Sequence, residues 1–214
     1  MSDIAVTSKD DLMRGCIVEA AHKLFRQFGV GKTTMEDIAR NIGKGKSSLY
    51  YYFATKEDIF ATVVEKEKDA VCREIQDAID REYGAEARLR AMAHAKHKAL
   101  RKRMLLYKIT LVDLPRDLCV FEAVGKRYKE TELNLIRNIL EEGIAAGVFD
   151  IKEHDRNIVA TVIANSLHGL ALQITFGAYT GSAAVLIDTT IDLLMAGLYG
   201  NGKAEGSHAR SFPR

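Results

Sequence analysis

Apolar residues recur at spacings of three and four along most of this chain, which is the period of an amphipathic helix. The pattern begins over residues 10–28. Its apolar stripe consists of Leu12, Cys16, Ile17, Ala20, Ala21, Leu24, Phe25 and Phe28. Gly29 follows directly and is typical of the position just after a helix. The pattern therefore predicts a first helix over 10–28 with this stripe buried.

The start of a second helix is indicated by capping residues. Thr33 and Glu36 have the spacing of a capping box, in which each side chain bonds to the backbone N–H of the other residue. Thr34 and Asp37 have the same spacing and are a close second choice. We expect this helix to cover residues 34–42.

Helical patterns continue to residue 199. A short third helix is expected at 46–53, and Thr55 is placed to cap a long fourth helix. Further helices are predicted at about 85–106, 118–146, 154–178 and 183–199. The first three helices are expected to pack around Phe25, Phe28, Ile38, Ile42, Leu49 and Phe53. The predicted fold class is all-α, in keeping with only two prolines in the sequence.

The composition is that of a folded soluble protein, with 47% hydrophobic and 28% charged residues among 214. The net charge of +2 is uninformative, whereas the distribution of charge along the chain is informative. Residues 40–56 carry Arg40, Lys44, Lys46 and Lys56 and no acidic residue. A basic patch on a small module suits a phosphate backbone as its partner.

Cysteine usage and the N-terminus bear on the compartment. Cys16, Cys72 and Cys119 are odd in number and far apart, so we expect reduced, buried thiols and neither a disulfide framework nor a zinc site. The N-terminal sequence MSDIAVTSKDD lacks the apolar core of a signal peptide. A cytoplasmic protein is therefore expected.

The second and third predicted helices are joined by a short turn that contains glycine, which is the arrangement of a helix-turn-helix. The first would cross the DNA backbone, and the second would enter the major groove. Lys46, Ser47 and Ser48 lie at the N-terminal end of the second, where side chains reach base edges. In the run Tyr50–Tyr52, one or two phenols must point outward from so short a helix. Taken alone, the same module could equally be purely structural.

Four segments of this region resemble the N-terminal domain of TetR-family (TetR/AcrR) transcriptional regulators. They are AAHKLFRQFG at 20–29, TTMEDIA at 33–39, GKGKSSLYYYF at 43–53 and TKED at 55–58. The resemblance runs from Ile17 to about Val64 and is specific because several fixed spacings agree at once. One departure is Gly45, which stands where the family often has a serine that caps the recognition helix.

The resemblance implies double-stranded DNA with a palindromic operator as the partner of this domain. Thr34 and Lys56 would anchor phosphates, and Tyr51 and Tyr52 would face the backbone or the groove wall. The full expected contact set is Thr33, Thr34, Lys44, Lys46, Ser47, Ser48, Tyr50, Tyr51, Tyr52 and Lys56.

The domain organisation follows from this layout. Residues 10–56 are expected to form the helix-turn-helix domain, 57–199 a larger helical effector-binding and dimerisation domain, and 200–214 a disordered tail. The resemblance implies a homodimeric repressor that a small-molecule effector releases from DNA. The sign of regulation stays open, and activation is the alternative.

Residues 157–187 contain no Lys, Arg, Asp or Glu. A membrane span is one interpretation, but polar residues and glycines interrupt the segment, and burial on two sides is the better one. One apolar stripe would pack on the chain's own core and the other on a second copy. The stripe assigned to the dimer interface is Leu167, Leu170, Ile174, Ile187, Ile191, Leu194, Met195 and Leu198.

An effector pocket is implied within the C-terminal domain. The candidate lining residues are Met92, Tyr107, Phe121, His168, Gln173 and Phe176. Each is more often plain core than ligand wall. From Arg88 to Lys108 there are eight Lys or Arg and no acid. This stretch is interpreted as a solvated face, with a preference for an apolar or anionic effector as the sharper alternative.

The rival hypothesis is an enzyme or a metal-binding helical bundle. His94 and His97 have the HxxH spacing of two ligands on one helix, but the neighbouring sequence supplies no third ligand, so a solvated pair is expected and no metal. Nucleophile-elbow, zincin and phosphate-loop motifs do not occur in the sequence. We therefore expect a protein that is not an enzyme and needs no cofactor.

Overall fold

A computed structural model of the chain describes residues 9–103, 119–175 and 180–199. Within these ranges the architecture is all-α, as predicted, and the two residues of an isolated bridge, Phe149 and Tyr199, are the extent of the β pairing. The helices are α1 Lys9–Phe28, α2 Met35–Asn41, α3 Lys46–Tyr52, α4 Lys56–Asp80, α5 Ala85–Lys102, α6 Cys119–Ala145, α7 Arg156–Thr175 and α8 Ala183–Leu198, with a 3-10 turn at Glu153–Asp155. The expected tail at 200–214 lies outside the described residues.

The described residues divide into two compact units. The first contains residues 9–70, with 102–103 and 119–126, and the second contains 71–101, 127–175 and 180–199. Helix α4 is continuous and contributes residues to both units.

The first unit has its own apolar core. Its largest fully buried side chains are Ile17, Phe25, Ile38, Leu49, Ile59 and Phe60. The Phe25 and Phe60 rings meet edge to face, with centroids 5.4 Å apart. These contacts fix α2 and α3 against α1 and α4.

Three predictions about burial in α1 are wrong. Leu12 and Phe28 are 60% and 52% exposed, and Cys16 is an exposed free thiol. Phe28 is the last residue of α1 and lines an open groove with Leu24 and Arg40. The buried face of the helix is therefore shorter than the apolar stripe that predicted it.

The second unit is built around α5, α6, α7 and α8. Its innermost residues include Leu89, Met92, Ile136, Leu140, Ile163 and Ile191. Gly143 allows a close approach, because a Cβ at this position would overlap the Phe149 ring. The chain then turns at Gly147, whose φ of +66° favours glycine.

Helix α7 accounts for most of the charge-free stretch. Residues Arg156–Ile174 are long and apolar enough to span a membrane by length and composition. Ala160, Ile163 and Leu167 on this helix are at most 2% exposed and pack in the core of the second unit. We expected both sides of this helix to be buried. Within the single chain one side is buried, and the other carries the exposed Ile158, Val162 and Leu172.

Candidate nucleic-acid interface

Helix α2 begins with a complete capping box at Thr34, the second of the two choices from sequence. The Asp37 amide donates to Thr34 Oγ1 over 3.2 Å, and the Thr34 amide donates to Asp37 Oδ2 over 3.0 Å. The Thr34 hydroxyl also donates to this carboxylate, and these hydrogen bonds lower the pKa of Asp37. The N-terminus of α2 is thereby fixed at the surface.

Thr33 is corrected from a DNA contact to a structural residue. It is 2% exposed, and its hydroxyl donates to the Gly29 carbonyl over 2.8 Å. A side chain whose single donor is committed inside the protein is not available to a phosphate.

The turn between α2 and α3 is closed by glycine at two positions. Gly43 adopts a φ of +66°, and the Lys44 amide donates back to the Ala39 carbonyl over 2.9 Å. Gly45 is the N-cap of α3, with extended backbone and no side-chain cap. Helix α3 therefore starts at Lys46, as predicted.

Helix α3 is anchored by Leu49, which is fully buried, and by Phe53 just beyond the helix. The other side of the helix is exposed. We call this surface the outer face of α3; it consists of Lys46, Ser47, Ser48, Tyr50 and Tyr51. Tyr51 is 74% exposed, so the expectation that at least one phenol points outward is confirmed. Five side chains rich in hydrogen-bond donors thus share one helix surface.

Tyr52 differs from its two neighbours. Its phenol donates to Asp10 Oδ1 over 3.1 Å, and its carbonyl accepts from Arg14 over 2.6 Å. Partial burial and the hydrogen bond to Asp10 raise the pKa of Tyr52. The guanidinium of Arg14 also lies 4.3 Å from the centroid of the Phe53 ring. Tyr52 therefore fastens α3 to α1, which gives it a positioning role, and its expected contact with DNA stays a prediction.

The two remaining expected contacts lie at the margins of α3. Lys44 is exposed in the turn before it. Lys56 begins α4 and donates to the Val30 carbonyl over 2.8 Å, which holds its ammonium beside the loop that precedes α2. Two further ammonium hydrogens of Lys56 remain for another acceptor.

One acidic residue lies beside the outer face of α3, although residues 40–56 contain no acidic residue. Glu36, in the first turn of α2, forms an ion pair with Lys46. The hydrogen bond between them raises the pKa of Lys46 and lowers that of Glu36. Sequence analysis missed this pair because Glu36 was considered only as a capping residue.

Comparisons with known proteins agree with this geometry. The sequence model of bacterial regulatory proteins of the TetR family matches residues 17–63, which include all of α2 and α3. Residues 17–63 are thus a domain of the TetR family of bacterial regulatory proteins. Relatives that align over more of the chain are named as transcriptional regulators.

Individual relatives align over more of the chain than this domain. The regulator YhgD of Bacillus subtilis is 25% identical over 69% of this chain and 76% of its own length. The repressor KstR2 of Mycolicibacterium smegmatis is 29% identical over 62% of this chain and 65% of its own length. The structure of Bacillus subtilis FadR in complex with stearoyl-CoA superposes with a TM-score of 0.66, at 20% identity, over 86% of this chain and 99% of that one.

The candidate effector residues do not converge in the described structure. Met92 is fully buried core, whereas His168 and Gln173 are exposed on α7. Tyr107, Phe176 and the side chain of Phe121 lie outside the described residues. The pocket therefore stays a prediction.

The basic stretch beginning at Arg88 is a solvated face only in part. Lys98, Arg101 and Lys102 are exposed, as expected. Four other cations are paired with carboxylates, in the pairs Arg88–Glu142, Arg90 with Glu86, Asp188 and Asp192, Lys96–Glu132 and Arg103–Glu67. Half of the eight positive charges that favoured an anionic effector are thus balanced by described carboxylates.

The two histidines of the HxxH pair are partly buried. His94 Nε2 lies 2.8 Å from Asp188 Oδ1, and this hydrogen bond holds the pKa of Asp188 below its usual value. His97 Nδ1 is buried and has no hydrogen-bond partner among the described residues. Among the described residues, His, Cys, Asp and Glu form no group of three that could hold a metal.

The stripe assigned to the dimer interface faces the core of the same subunit, and this assignment is corrected. Leu167, Ile187, Ile191, Met195 and Leu198 are at most 8% exposed, and Leu170, Ile174 and Leu194 pack partly buried against the same core. The exposed apolar residues of α7 and α8 are instead Ile158, Val162, Leu172, Val185 and Leu193. We call this set the outer stripe. The pattern alone does not say which of two apolar stripes meets the chain's own core.

Proposed function

We propose that this protein is a homodimeric repressor that binds a palindromic operator and is released from it by a small-molecule effector. The observation that carries the proposal is the outer face of α3. Lys46, Ser47 and Ser48 stand at the N-terminal end of an exposed helix whose inner side is locked by Leu49. Helix N-termini with short polar side chains reach base edges and phosphates in the major groove.

The proposed contacts divide by chemistry. Lys46, Ser47, Ser48 and Tyr50 meet base edges, and Tyr51 meets the backbone or a thymine methyl. Phosphates are held by Lys44, by Lys56 and by the backbone amides of the first turn of α2, which follows its N-cap Thr34.

Dimerisation is proposed through the outer stripe of α7 and α8. Its members are 41–71% exposed on two consecutive helices of the same unit, and a second copy would bury them in a four-helix interface. A two-fold dimer presents two α3 helices to successive major grooves, about 34 Å apart or somewhat more. This accounts for a palindromic operator.

The effector is proposed to bind in the 57–199 domain and to be apolar or to carry an apolar chain with an anionic group. Support comes from two relatives: KstR2 is named a repressor, and the FadR structure contains stearoyl-CoA. Helix α4 contributes to both units, so a change in its position is a direct route from effector to DNA. A cytoplasmic location follows from binding to bacterial DNA.

The decisive experiment is binding to genomic DNA fragments over a range of salt concentrations. We expect wild-type protein to select particular fragments with a steep salt dependence, and Lys46→Ala/Tyr51→Ala to lose the selection. Lys66→Ala/Tyr83→Ala is the matched control, because both residues are exposed outside α2 and α3. Binding that ignores sequence and survives the α3 changes would refute the proposal.

The effector class is tested on the selected fragment. We expect stearoyl-CoA to weaken operator binding by at least tenfold, as an effector that prefers the unbound state must. An unchanged dissociation constant would exclude this chemical class while leaving DNA recognition in place. A reporter fused to the selected fragment distinguishes repression from activation.

A further inference from the structure

The ion pair between Glu36 and Lys46 lies at the point where α3 would meet DNA. Lys46 is the first residue of α3, and Glu36 is in the first turn of α2. Both side chains are 48% exposed, and the Lys46 ammonium lies 5.7 Å from the centroid of the Tyr50 ring. The neighbouring acid, Asp37, is committed to Thr34. Glu36 is therefore the carboxylate that acts on the cation at the start of α3.

This pairing changes what Lys46 can bind. An ammonium group has three N–H donors, and the carboxylate of Glu36 takes one of them. The others lie near the Tyr50 side chain and can donate to an acceptor in the groove. A phosphate that approached Lys46 would also approach the negative charge of Glu36, whereas a base edge carries no net charge. The pair thus favours a neutral acceptor over an anionic one.

We propose that Glu36 is a specificity-determining residue that holds Lys46 for a base-edge acceptor, such as guanine O6 and N7, and disfavours its use on phosphate. The inference rests on the proposed DNA-binding function and adds a role for a residue outside the recognition helix. Without Glu36, the flexible lysine would bind any nearby phosphate as a point charge. Glu36 would then lower the affinity for non-operator DNA, leave the affinity for the operator little changed, and so raise the preference for the operator.

The test compares Glu36→Gln with wild type on two DNA duplexes, the selected operator fragment and a shuffled duplex of the same composition. We expect Glu36→Gln to bind the shuffled duplex about tenfold more tightly and the operator little changed. The ratio of the two affinities should fall accordingly. The salt slope on shuffled DNA should steepen by about 0.9, the value for one additional phosphate contact.

Glu19→Gln is the matched control. Glu19 forms an ion pair with Lys66 in the same unit, with side chains 50% and 54% exposed, but on α1 and α4. The Glu19→Gln substitution removes the same charge as Glu36→Gln but at a site away from α3. We therefore expect its ratio of operator to shuffled-duplex affinity to stay within about twofold of wild type. In a Lys46→Ala background, Glu36→Gln should no longer change the salt slope, because the lysine that it releases is absent.

The outcomes are distinguishable. A wild-type protein that does not discriminate the two duplexes overturns the proposed function together with this inference. A selective wild type, with Glu36→Gln matching Glu19→Gln in both ratio and salt slope, overturns only the inference. Persistence of the Glu36→Gln effect in the Lys46→Ala background would also overturn it, because the effect would then not act through Lys46.

Discussion

At the scale of single residues, the most unusual group is the buried ion pair of Lys96 and Glu132. Their side chains are 1% and 8% exposed between α5 and α6, within the core of the second unit. Two charges removed from water are stabilised only by each other, so loss of one partner leaves an uncompensated charge. Glu132→Leu should therefore lower the free energy of unfolding by about 3–5 kcal/mol, measured by urea denaturation.

The control for this prediction is the double variant Lys96→Met/Glu132→Leu. It replaces both charges by apolar side chains of similar volume, and such replacements are commonly neutral or stabilising. The double variant should therefore recover the stability that Glu132→Leu loses. A double variant no more stable than the single one would mean that shape, and not charge compensation, governs this position.

At the scale of helices, sequence patterns predicted the bounds of the short helices well but did not predict which side chains pair between distant helices. Periodicity and caps located α2 and α3 to within one residue at each end, because the signals for a short helix lie within the helix and its caps. The pairing of Arg90 with Asp188 and Asp192 joins α5 to α8 across about a hundred residues. No local pattern encodes such a pair, so the expectation of a solvated basic face holds only for the exposed Lys98, Arg101 and Lys102.

The same limit applied to the last two helices. Both stripes of α7 and α8 are apolar, and the sequence does not state which one is covered by the chain itself. The packed core of the second unit decides this, since Ile187 and Ile191 are at most 1% exposed whereas Leu193 is 71% exposed. Sequence therefore predicted a dimer interface on these helices but assigned it to the stripe that packs in the chain's own core.

The outer stripe gives a prediction at this scale. Val162→Glu/Leu193→Glu places a charge on each of the two exposed helices, and burial of unpaired charges in a dimer is strongly unfavourable. We expect the wild type to be dimeric and the variant monomeric by light scattering after gel filtration. Leu12→Glu changes an equally exposed apolar residue on α1 and should stay dimeric. A dimeric double glutamate variant would contradict the assignment of the outer stripe.

At the scale of the whole molecule, stability should depend on pH through His97. Burial is the largest cause that lowers the pKa of His97, and nearby Arg101 and His94 act in the same direction. Protonation would put a positive charge on the His97 imidazole, whose buried Nδ1 has no hydrogen-bond partner among the described residues. The pKa of His168 is lowered as well, but this side chain is exposed and contributes less.

The sign follows from the direction of these shifts. A histidine whose folded pKa lies below its unfolded value of about 6.5 stabilises the native state above that pH, and the stabilisation is lost as the pH falls through the folded pKa. The lowered pKa of Asp188 acts only below about pH 4 and stays outside this window. The urea midpoint of the wild type should therefore fall between pH 7.5 and about pH 5, whereas His97→Gln should show a flatter profile because it cannot be protonated. If His97→Gln retained the full wild-type pH dependence, the acid sensitivity would belong to other groups. A flatter profile in His168→Gln would then identify the exposed histidine as the group responsible.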